Sequence, residues 1–220
     1  MIHLYFFLVG AIIASFLGLV IDRFPEKSIV FPTSHCESCQ TRLRPLDLIP
    51  IISQVVYRFR CRYCKAHYPF WYALFELFLG LLFLTFSLGF LTLSQIILVT
   101  AGLTLGIYDL RHQEYPLLVW LIFHLFLIVC CGWNLVMIFF LILGILAHFI
   151  DIRIGAGDFL FLASCSLVFT LTEILILIQF ASTTGILAFL LLKKKERLPF
   201  VPFLLLAACM IIFGKLLLLG

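Results

Sequence analysis

Long apolar runs dominate this chain of 220 residues. A helix needs about 20 apolar residues to cross the roughly 30 Å hydrocarbon layer of a bilayer, and eight runs bounded by charged or turn residues approach that length. Hydrophobic residues make up 64% of the chain and charged residues only 12%, which excludes an ordinary soluble domain and argues against nucleic-acid binding. We therefore predict an all-α, polytopic membrane helix bundle with eight transmembrane helices at about 3–21, 69–89, 92–108, 117–132, 134–150, 159–176, 177–192 and 200–219.

Basic residues predict the orientation of this bundle. Fourteen of the fifteen Lys and Arg residues fall in four loops that eight spans would place on one side of the membrane. Since positive loops stay on the cytoplasmic side, we expect these loops inside and both termini outside. The first run lacks a preceding basic residue and a clear cleavage site, so we expect a retained span rather than a signal peptide. The chain then divides into a first helix at 1–21, a cytoplasmic loop at 22–68 and a membrane bundle at 69–220.

The cytoplasmic loop contains two CxxC motifs, whose spacing is close to that of four-thiolate zinc ribbons. About 47 residues are too few for a self-sufficient core without a metal or disulfides. The cytoplasm is reducing, so disulfides should not persist there. We predict a zinc-ribbon-like loop in which a structural Zn²⁺ is bound by Cys36, Cys39, Cys61 and Cys64. A thioredoxin-like redox pair is the alternative, although no βαβ pattern surrounds either motif.

Two aspartates lie at the predicted cytoplasmic edge of the bundle. Asp109 ends the third span, and Asp158 opens the sixth in the sequence Gly155-Ala-Gly157-Asp158. The two glycines allow another chain to approach closely. If the carboxylates meet, they share one proton, so that one activates water and the other polarises an amide carbonyl. Spacing alone leaves open that each acid only caps a helix at the interface.

A few other charged residues fall within or beside the apolar runs. Glu76 and Glu173 lie in predicted spans, where an ionisable group usually faces a cavity or a partner. Alternatively, each reaches the interface from near the end of its span. The basic run 193–197 is expected to hold its loop on the cytoplasmic side, and a lipid headgroup site there is the alternative.

The order of these motifs resembles that of the type IV prepilin peptidases, a family of GxGD-type membrane aspartic proteases with combined leader peptidase and N-methyltransferase activities. The resemblance extends over nearly the whole chain. It rests on the segments Gly10–Pro25, Cys36–Cys39, Asp47–Pro50, Cys61–Cys64, Glu76–Gly80, Asp109–His112 with Tyr115 and Pro116, Gly155–Asp158, and Leu198–Phe203.

The resemblance implies an enzyme of the bacterial plasma membrane whose active site is on the cytoplasmic face. Asp109 and Asp158 would be the catalytic pair, and Gly155 and Gly157 would supply backbone at the substrate site. The substrates would be pilin-like precursors with a short basic leader ending in glycine, destined for pili, a secretion system or DNA uptake. The four-cysteine loop would bind Zn²⁺, and S-adenosylmethionine would supply the methyl group. The residues that bind this cofactor remain unidentified from the sequence.

The chain departs from the family pattern at several positions. Leu160 replaces a lysine that usually follows the second aspartate by two residues, Tyr108 replaces a small aliphatic residue, and Leu117 replaces an aspartate. The opening motif has Ala14 and Gly18 in place of its usual Gly and Asn. Two other functions therefore stay open: a non-catalytic, zinc-stabilised membrane assembly factor, and a membrane thiol oxidoreductase that uses the CxxC motifs.

Overall fold

The computed structural model describes residues 1–31, 33–113, 115–150, 155–192 and 198–219. These residues form nine α-helices and a single 3₁₀ turn, and they contain no β-structure beyond two isolated bridges. The predicted all-α class is confirmed. The helices are α1 Ile2–Arg23, α2 Ile52–Val56, α3 Trp71–Ser87, α4 Leu93–His112, α5 Leu117–Cys131, α6 Leu135–Phe149, α7 Ala156–Cys165, α8 Leu171–Leu192 and α9 Val201–Leu219.

Eight of these helices overlap the eight predicted apolar runs. By length and composition, α1, α4 and α8 are long and apolar enough to cross a membrane. The other five, α3, α5, α6, α7 and α9, are apolar but shorter. The sequence did not indicate the short helix α2 or the 3₁₀ turn Pro45–Leu48, both of which lie in the cysteine loop.

The boundary between the sixth and seventh predicted spans was wrong. We predicted it at residue 176, whereas α7 ends at Cys165 and α8 begins at Leu171. The intervening turn is closed by backbone hydrogen bonds, and the Thr170 N–H donates to the Glu173 carboxylate at 3.0 Å. A Thr followed three residues later by Glu favours the start of a helix. Glu173 therefore marks the first turn of α8 rather than the middle of a span.

The chain folds as two compact units, residues 1–91 and 92–220. The N-terminal unit contains α1, α2, α3 and the cysteine loop, and the C-terminal unit contains α4 to α9. The basic loop around Arg153 and the basic run 193–197 both lie outside the described residues.

The N-terminal unit is built on close packing between α1 and α3. A methyl group on Gly10 would lie 2.5 Å from the Leu79 carbonyl oxygen, and one on Gly80 would lie 2.8 Å from the Phe7 ring. Small residues at such positions allow apolar helices to approach until their backbones touch. This pair of helices forms the base on which the loop between them folds.

The C-terminal unit packs α4 against α9 and α7. Gly102 on α4 faces Leu205 of α9 and Phe161 of α7, and a methyl group there would lie 2.6 Å from the Leu205 side chain. At the beginning of α4, Thr92 and Gln95 form reciprocal side-chain and backbone hydrogen bonds that cap the helix. An ion pair of 2.5 Å between Lys215 and Glu173 joins α9 to α8.

Candidate functional site

The two CxxC motifs fold into matching turns. In the first turn, the Cys36 N–H donates to the Thr41 carbonyl at 3.0 Å, and in the second the Cys61 N–H donates to the Ala66 carbonyl at 2.8 Å. The residue after each second cysteine, Gln40 or Lys65, has the left-handed backbone conformation, with φ of 55° and 62°. The two turns therefore present their cysteine pairs in equivalent ways.

The matching turns bring all four predicted cysteines together. Their sulfur atoms lie within 4.8 Å of one another, and the Cys36 and Cys64 sulfurs are 3.8 Å apart. Four sulfurs bound tetrahedrally to zinc at about 2.3 Å are separated by about 3.8 Å. All four are free thiols rather than disulfides. The cluster therefore fits one tetrahedral metal ion with a set of thiolate ligands.

The surroundings of Cys61 favour the thiolate, the form that binds metals. Burial acts to raise the pKa of this thiol, but N–H groups of Cys64 and Tyr63 stabilise the charged form and bring the pKa down to about 6. The Tyr63 N–H lies 3.4 Å from the sulfur. Burial and the Cys61 thiol together raise the pKa of the nearby Tyr68 hydroxyl, which keeps Tyr68 neutral.

Glu76 attaches the cysteine loop to the helices of the N-terminal unit. It is only 4% exposed, and its carboxylate accepts hydrogen bonds from the Ile51 N–H at 2.7 Å and the Gln54 amide at 2.8 Å. The Ser15 hydroxyl of α1 donates a further bond. Glu76 was one of two acids within predicted spans, and here it has a structural role that joins α1, α2 and α3.

The substitution Glu76→Ala is expected to weaken the attachment of the cysteine loop to the helices of the N-terminal unit. Since three buried donors would lose their acceptor, we expect the unit to lose about 2–3 kcal/mol of stability. The rate of amide hydrogen exchange of the backbone around Ile51 and Gln54 should therefore increase. Glu26→Ala, at an exposed position of the same unit, should leave exchange unchanged, and equal effects of both variants would contradict the anchoring role.

In the C-terminal unit, Asp109 lies in the last turn of α4 and is bound to the beginning of α9. The helix runs four residues beyond the predicted end of the span at 108. The Asp109 carboxylate accepts a hydrogen bond from the Val201 N–H at 3.2 Å, and the Phe200 N–H contributes a second. The free N–H groups at the beginning of a helix favour a carboxylate. The segment Leu198–Phe203 therefore holds Asp109 in place.

Asp158 lies in the first turn of α7. Its carboxylate accepts a hydrogen bond from the Gly155 N–H and interacts electrostatically with Asp109. The structure therefore brings the two sequence-predicted aspartates into one unit, where α4 and α7 are in contact.

Tyr115 belongs to a motif segment that carries the family resemblance, although the sequence assigned it no role of its own, and it interacts electrostatically with Asp158 and Asp109. Its ring packs on Gly157, where a methyl group would overlap the ring atoms. Its hydroxyl oxygen is buried and makes no hydrogen bond to any residue that the structure describes. Burial and the charges of Asp158 and Asp109 raise the pKa of Tyr115 well above its usual value, so it stays protonated and able to donate.

Gly157→Ala is expected to displace Tyr115 and to destabilise the C-terminal unit by about 1–3 kcal/mol, the usual range for overpacking. Thermal unfolding of the purified chain should report this as a lower midpoint. Gly214→Ala is a matched control on α9 because no atom lies within 4 Å of the added methyl group. A Gly157→Ala midpoint equal to that of the control would contradict the packing described here.

A buried polar cluster joins α5 to α7 and was also missed from the sequence. The Trp120 indole N–H lies 3.0 Å from both the Leu160 carbonyl and the Ser164 hydroxyl. The His124 Nδ1 atom is 2.9 Å from the same hydroxyl, and the His124 ring stacks on Trp120 at 4.7 Å. In the sequence, the only sign of this cluster was the pair of polar rings, Trp120 and His124, spaced four residues apart within an apolar run. The cluster fixes α7, and with it the position of Asp158.

Comparisons with known proteins agree with the motif pattern. Residues 8–90 match the family model of the bacterial peptidase A24 N-terminal domain. The chain is 36% identical over 118 residues to a prepilin leader peptidase/N-methyltransferase from Myxococcus xanthus, covering 51% of this chain and 35% of the relative. It is 34% identical over 130 residues to a type 4 prepilin-like proteins leader peptide-processing enzyme from Escherichia coli, covering 49% and 48%. No solved structure matches.

These matches confirm the resemblance to the type IV prepilin peptidases over about half of the chain. The chain spans about a third to a half of the length of the curated relatives it matches. The matched segment 8–90 contains the whole cysteine cluster and Glu76.

Proposed function

We propose that this chain is a membrane aspartic endopeptidase that removes the short leader of type IV prepilin-like precursors. The observation that carries the proposal is that Asp109, in the last turn of α4, and Asp158, in the first turn of α7, lie on contacting helices of one unit, in a chain related to leader peptidases. In such precursors a short basic leader ends in glycine and precedes a hydrophobic helix. The cleaved bond would therefore lie at the membrane surface, at the ends of helices where both aspartates are found.

The proposed reaction uses the pair as one acid and one base. The ionised aspartate takes a proton from a water molecule while the water oxygen attacks the carbonyl carbon of the leader glycine. The protonated aspartate donates a hydrogen bond to the carbonyl oxygen and then gives its proton to the leaving amide nitrogen as the C–N bond breaks. The leader leaves as a carboxylate and the mature chain as an amine. The pair titrates as a unit, so the two roles are not assigned to individual residues.

The four-cysteine cluster is proposed to bind a structural Zn²⁺ through Cys36, Cys39, Cys61 and Cys64. The sulfur spacing supports this ion because it matches tetrahedral zinc–thiolate geometry. A Zn²⁺ ion bound to these four cysteines would cross-link the two turns. Folding of the loop would then depend on the metal, as in other small metal-bound units.

We further propose that the new N-terminus is methylated from S-adenosylmethionine, in keeping with the N-methyltransferase named in the M. xanthus relative. The enzyme would lie in a bacterial plasma membrane with both termini outside and the cysteine loop inside, contacting lipids and binding no nucleic acid. We also propose that the chain divides into a first span at 1–21, a zinc loop at 22–68 and a peptidase bundle at 69–220.

Expression with a tagged pilin-like precursor tests the proposal. The precursor should be shortened by the length of its leader when the full chain is present in the same membranes. A precursor whose leader glycine is replaced by a bulky residue is the matched control and should stay uncleaved. A precursor of unchanged size, together with a Cys36–Cys39 disulfide in cells, would favour a thiol oxidoreductase. A chain that binds metal but does not cleave the precursor would favour a non-catalytic assembly factor.

A further inference from the structure

The hydroxyl group of Tyr115 is unpaired within the part of the chain that the structure describes. Its oxygen is buried and makes no hydrogen bond there. Leaving a buried hydroxyl unpaired costs free energy, so an unpaired group in a folded protein calls for an explanation. Thr100 and His124 also have an unpaired buried atom in the C-terminal unit, but both lie in the middle of helices. Tyr115 instead lies in the short segment between α4 and α5.

The position of Tyr115 places this hydroxyl near the proposed reaction. Its ring packs on Gly157, the residue before Asp158. The hydroxyl also interacts electrostatically with Asp158 and Asp109. Tyr115 as a whole is only half-buried, and it follows the end of α4 at which Asp109 is found. A precursor bound across the two aspartates would therefore come within reach of this side chain.

Other donors already hold the two carboxylates. The Asp109 carboxylate accepts a hydrogen bond from the Val201 N–H at 3.2 Å, and the Asp158 carboxylate accepts one from the Gly155 N–H. Neither carboxylate is hydrogen-bonded to the Tyr115 hydroxyl. The position of the aspartates therefore does not depend on this hydroxyl, and its proton is available to a molecule that binds at the site.

The protonation state of Tyr115 suits it to donate a hydrogen bond. Burial and the charge of Asp158 raise the pKa of its hydroxyl well above the usual value, so the proton stays on Tyr115. When water attacks a peptide bond, the carbonyl oxygen gains negative charge. A neutral donor placed at that oxygen forms a stronger bond in the transition state than in the bound substrate, which raises kcat rather than affinity.

We propose that the Tyr115 hydroxyl donates a hydrogen bond to the carbonyl oxygen of the leader glycine and is a third catalytic residue of this site. The inference rests on the proposed leader peptidase. As the water oxygen bonds to the carbonyl carbon, the π electron pair of the C=O bond moves to the carbonyl oxygen, which Tyr115 stabilises. The pair returns as the C–N bond breaks, and the leaving nitrogen takes its proton from the aspartate pair. The Tyr115 proton stays on its own oxygen throughout.

Cleavage kinetics of the purified full chain with a purified precursor test the proposal. Tyr115→Phe removes the hydroxyl and keeps the ring that packs on Gly157. We expect kcat to fall about 10²- to 10³-fold, the usual effect of losing one donor to the carbonyl oxygen, with KM unchanged. The thermal unfolding midpoint should stay at the wild-type value because the lost hydroxyl has no partner among the described residues. Tyr5→Phe, at an exposed tyrosine of α1, is the matched control and should cleave at the wild-type rate.

A change in the substrate tests whether the hydroxyl acts on the carbonyl oxygen. A synthetic precursor with a thioamide at the leader glycine has sulfur, a weaker hydrogen-bond acceptor, in place of that oxygen. The wild-type protein should cleave the thioamide more slowly than the ordinary precursor, and Tyr115→Phe should show a smaller difference between the two. Groups that interact give such non-additive effects, whereas independent groups give effects that multiply.

The outcomes separate this inference from the leader peptidase. Cleavage at the wild-type rate by Tyr115→Phe overturns the inference and leaves the peptidase in place. A wild-type chain that leaves the ordinary precursor intact overturns the peptidase and the inference with it. A Tyr115→Phe protein that unfolds at a lower temperature, or does not fold, gives the hydroxyl a packing role and contradicts the inference. Equal effects of the thioamide on both proteins contradict donation to the carbonyl oxygen.

Discussion

Asp109→Asn and Asp158→Asn should each reduce the rate of leader cleavage by about 10²- to 10⁴-fold. Asparagine keeps the size of the side chain and its ability to accept the hydrogen bond from Val201 or Gly155, but it neither takes a proton from water nor donates one to the leaving nitrogen. Each variant should therefore fold and bind the precursor. Quantified cleavage in membranes, with equal amounts of protein, measures the loss.

The double variant sharpens this prediction. Because the two carboxylates act as a unit, the Asp109→Asn/Asp158→Asn protein should be no slower than the poorer single variant. Glu26→Gln is the control for a loss of negative charge away from the pair, and it should cleave at the wild-type rate. If the rate loss of the double variant equals the product of the two single-variant losses, the aspartates do not form a catalytic pair. Cleavage at the wild-type rate by either single variant would lead to the same conclusion.

The second large effect is expected from the cysteine cluster. Replacing Cys36 and Cys61 by serine removes one ligand from each turn, so the metal content should fall from about one ion per chain to near zero. Structural zinc contributes on the order of 10–16 kcal/mol to folding in small zinc-bound peptides. The loop should then lose its matched turns and become sensitive to proteases. Mass spectrometry of bound metal and limited proteolysis measure the two effects.

Other cysteines of the chain provide the matched control. Cys130 and Cys131 are free and exposed near the end of α5, and their replacement by serine removes two thiols without touching the cluster. Metal content and protease resistance should stay at wild-type levels. One zinc ion retained after loss of Cys36 and Cys61 would contradict the proposed ligand set.

Much of this architecture is readable from the sequence because membrane helices are defined by composition. Apolar runs predicted eight helices, and CxxC spacing predicted the thiol cluster. The α7–α8 boundary was misplaced because the turn between them contains Leu167, Val168 and Phe169, which are as apolar as the helices around them. Only the Thr170 and Glu173 capping pair marked it.

The contacts that position the site depend on distant parts of the chain. The sequence singled out Glu76 as a costly intramembrane acid but gave no means of finding Ile51 as its donor, 25 residues away. It singled out Gly157 as a site of close approach, yet the approaching group, Tyr115, comes from the loop before α5. The partner of His124 is Ser164, on another helix. Each of these contacts follows from helix packing rather than from local pattern.

Mass analysis of the products from a purified precursor and the purified full chain tests the central claim most directly. The account predicts two products from the wild-type protein, a leader ending in a glycine carboxylate and a mature chain with a free or methylated amine. It predicts neither product from Asp109→Asn or Asp158→Asn. An intact precursor with the wild-type protein, or both products with either variant, would contradict an aspartic leader peptidase.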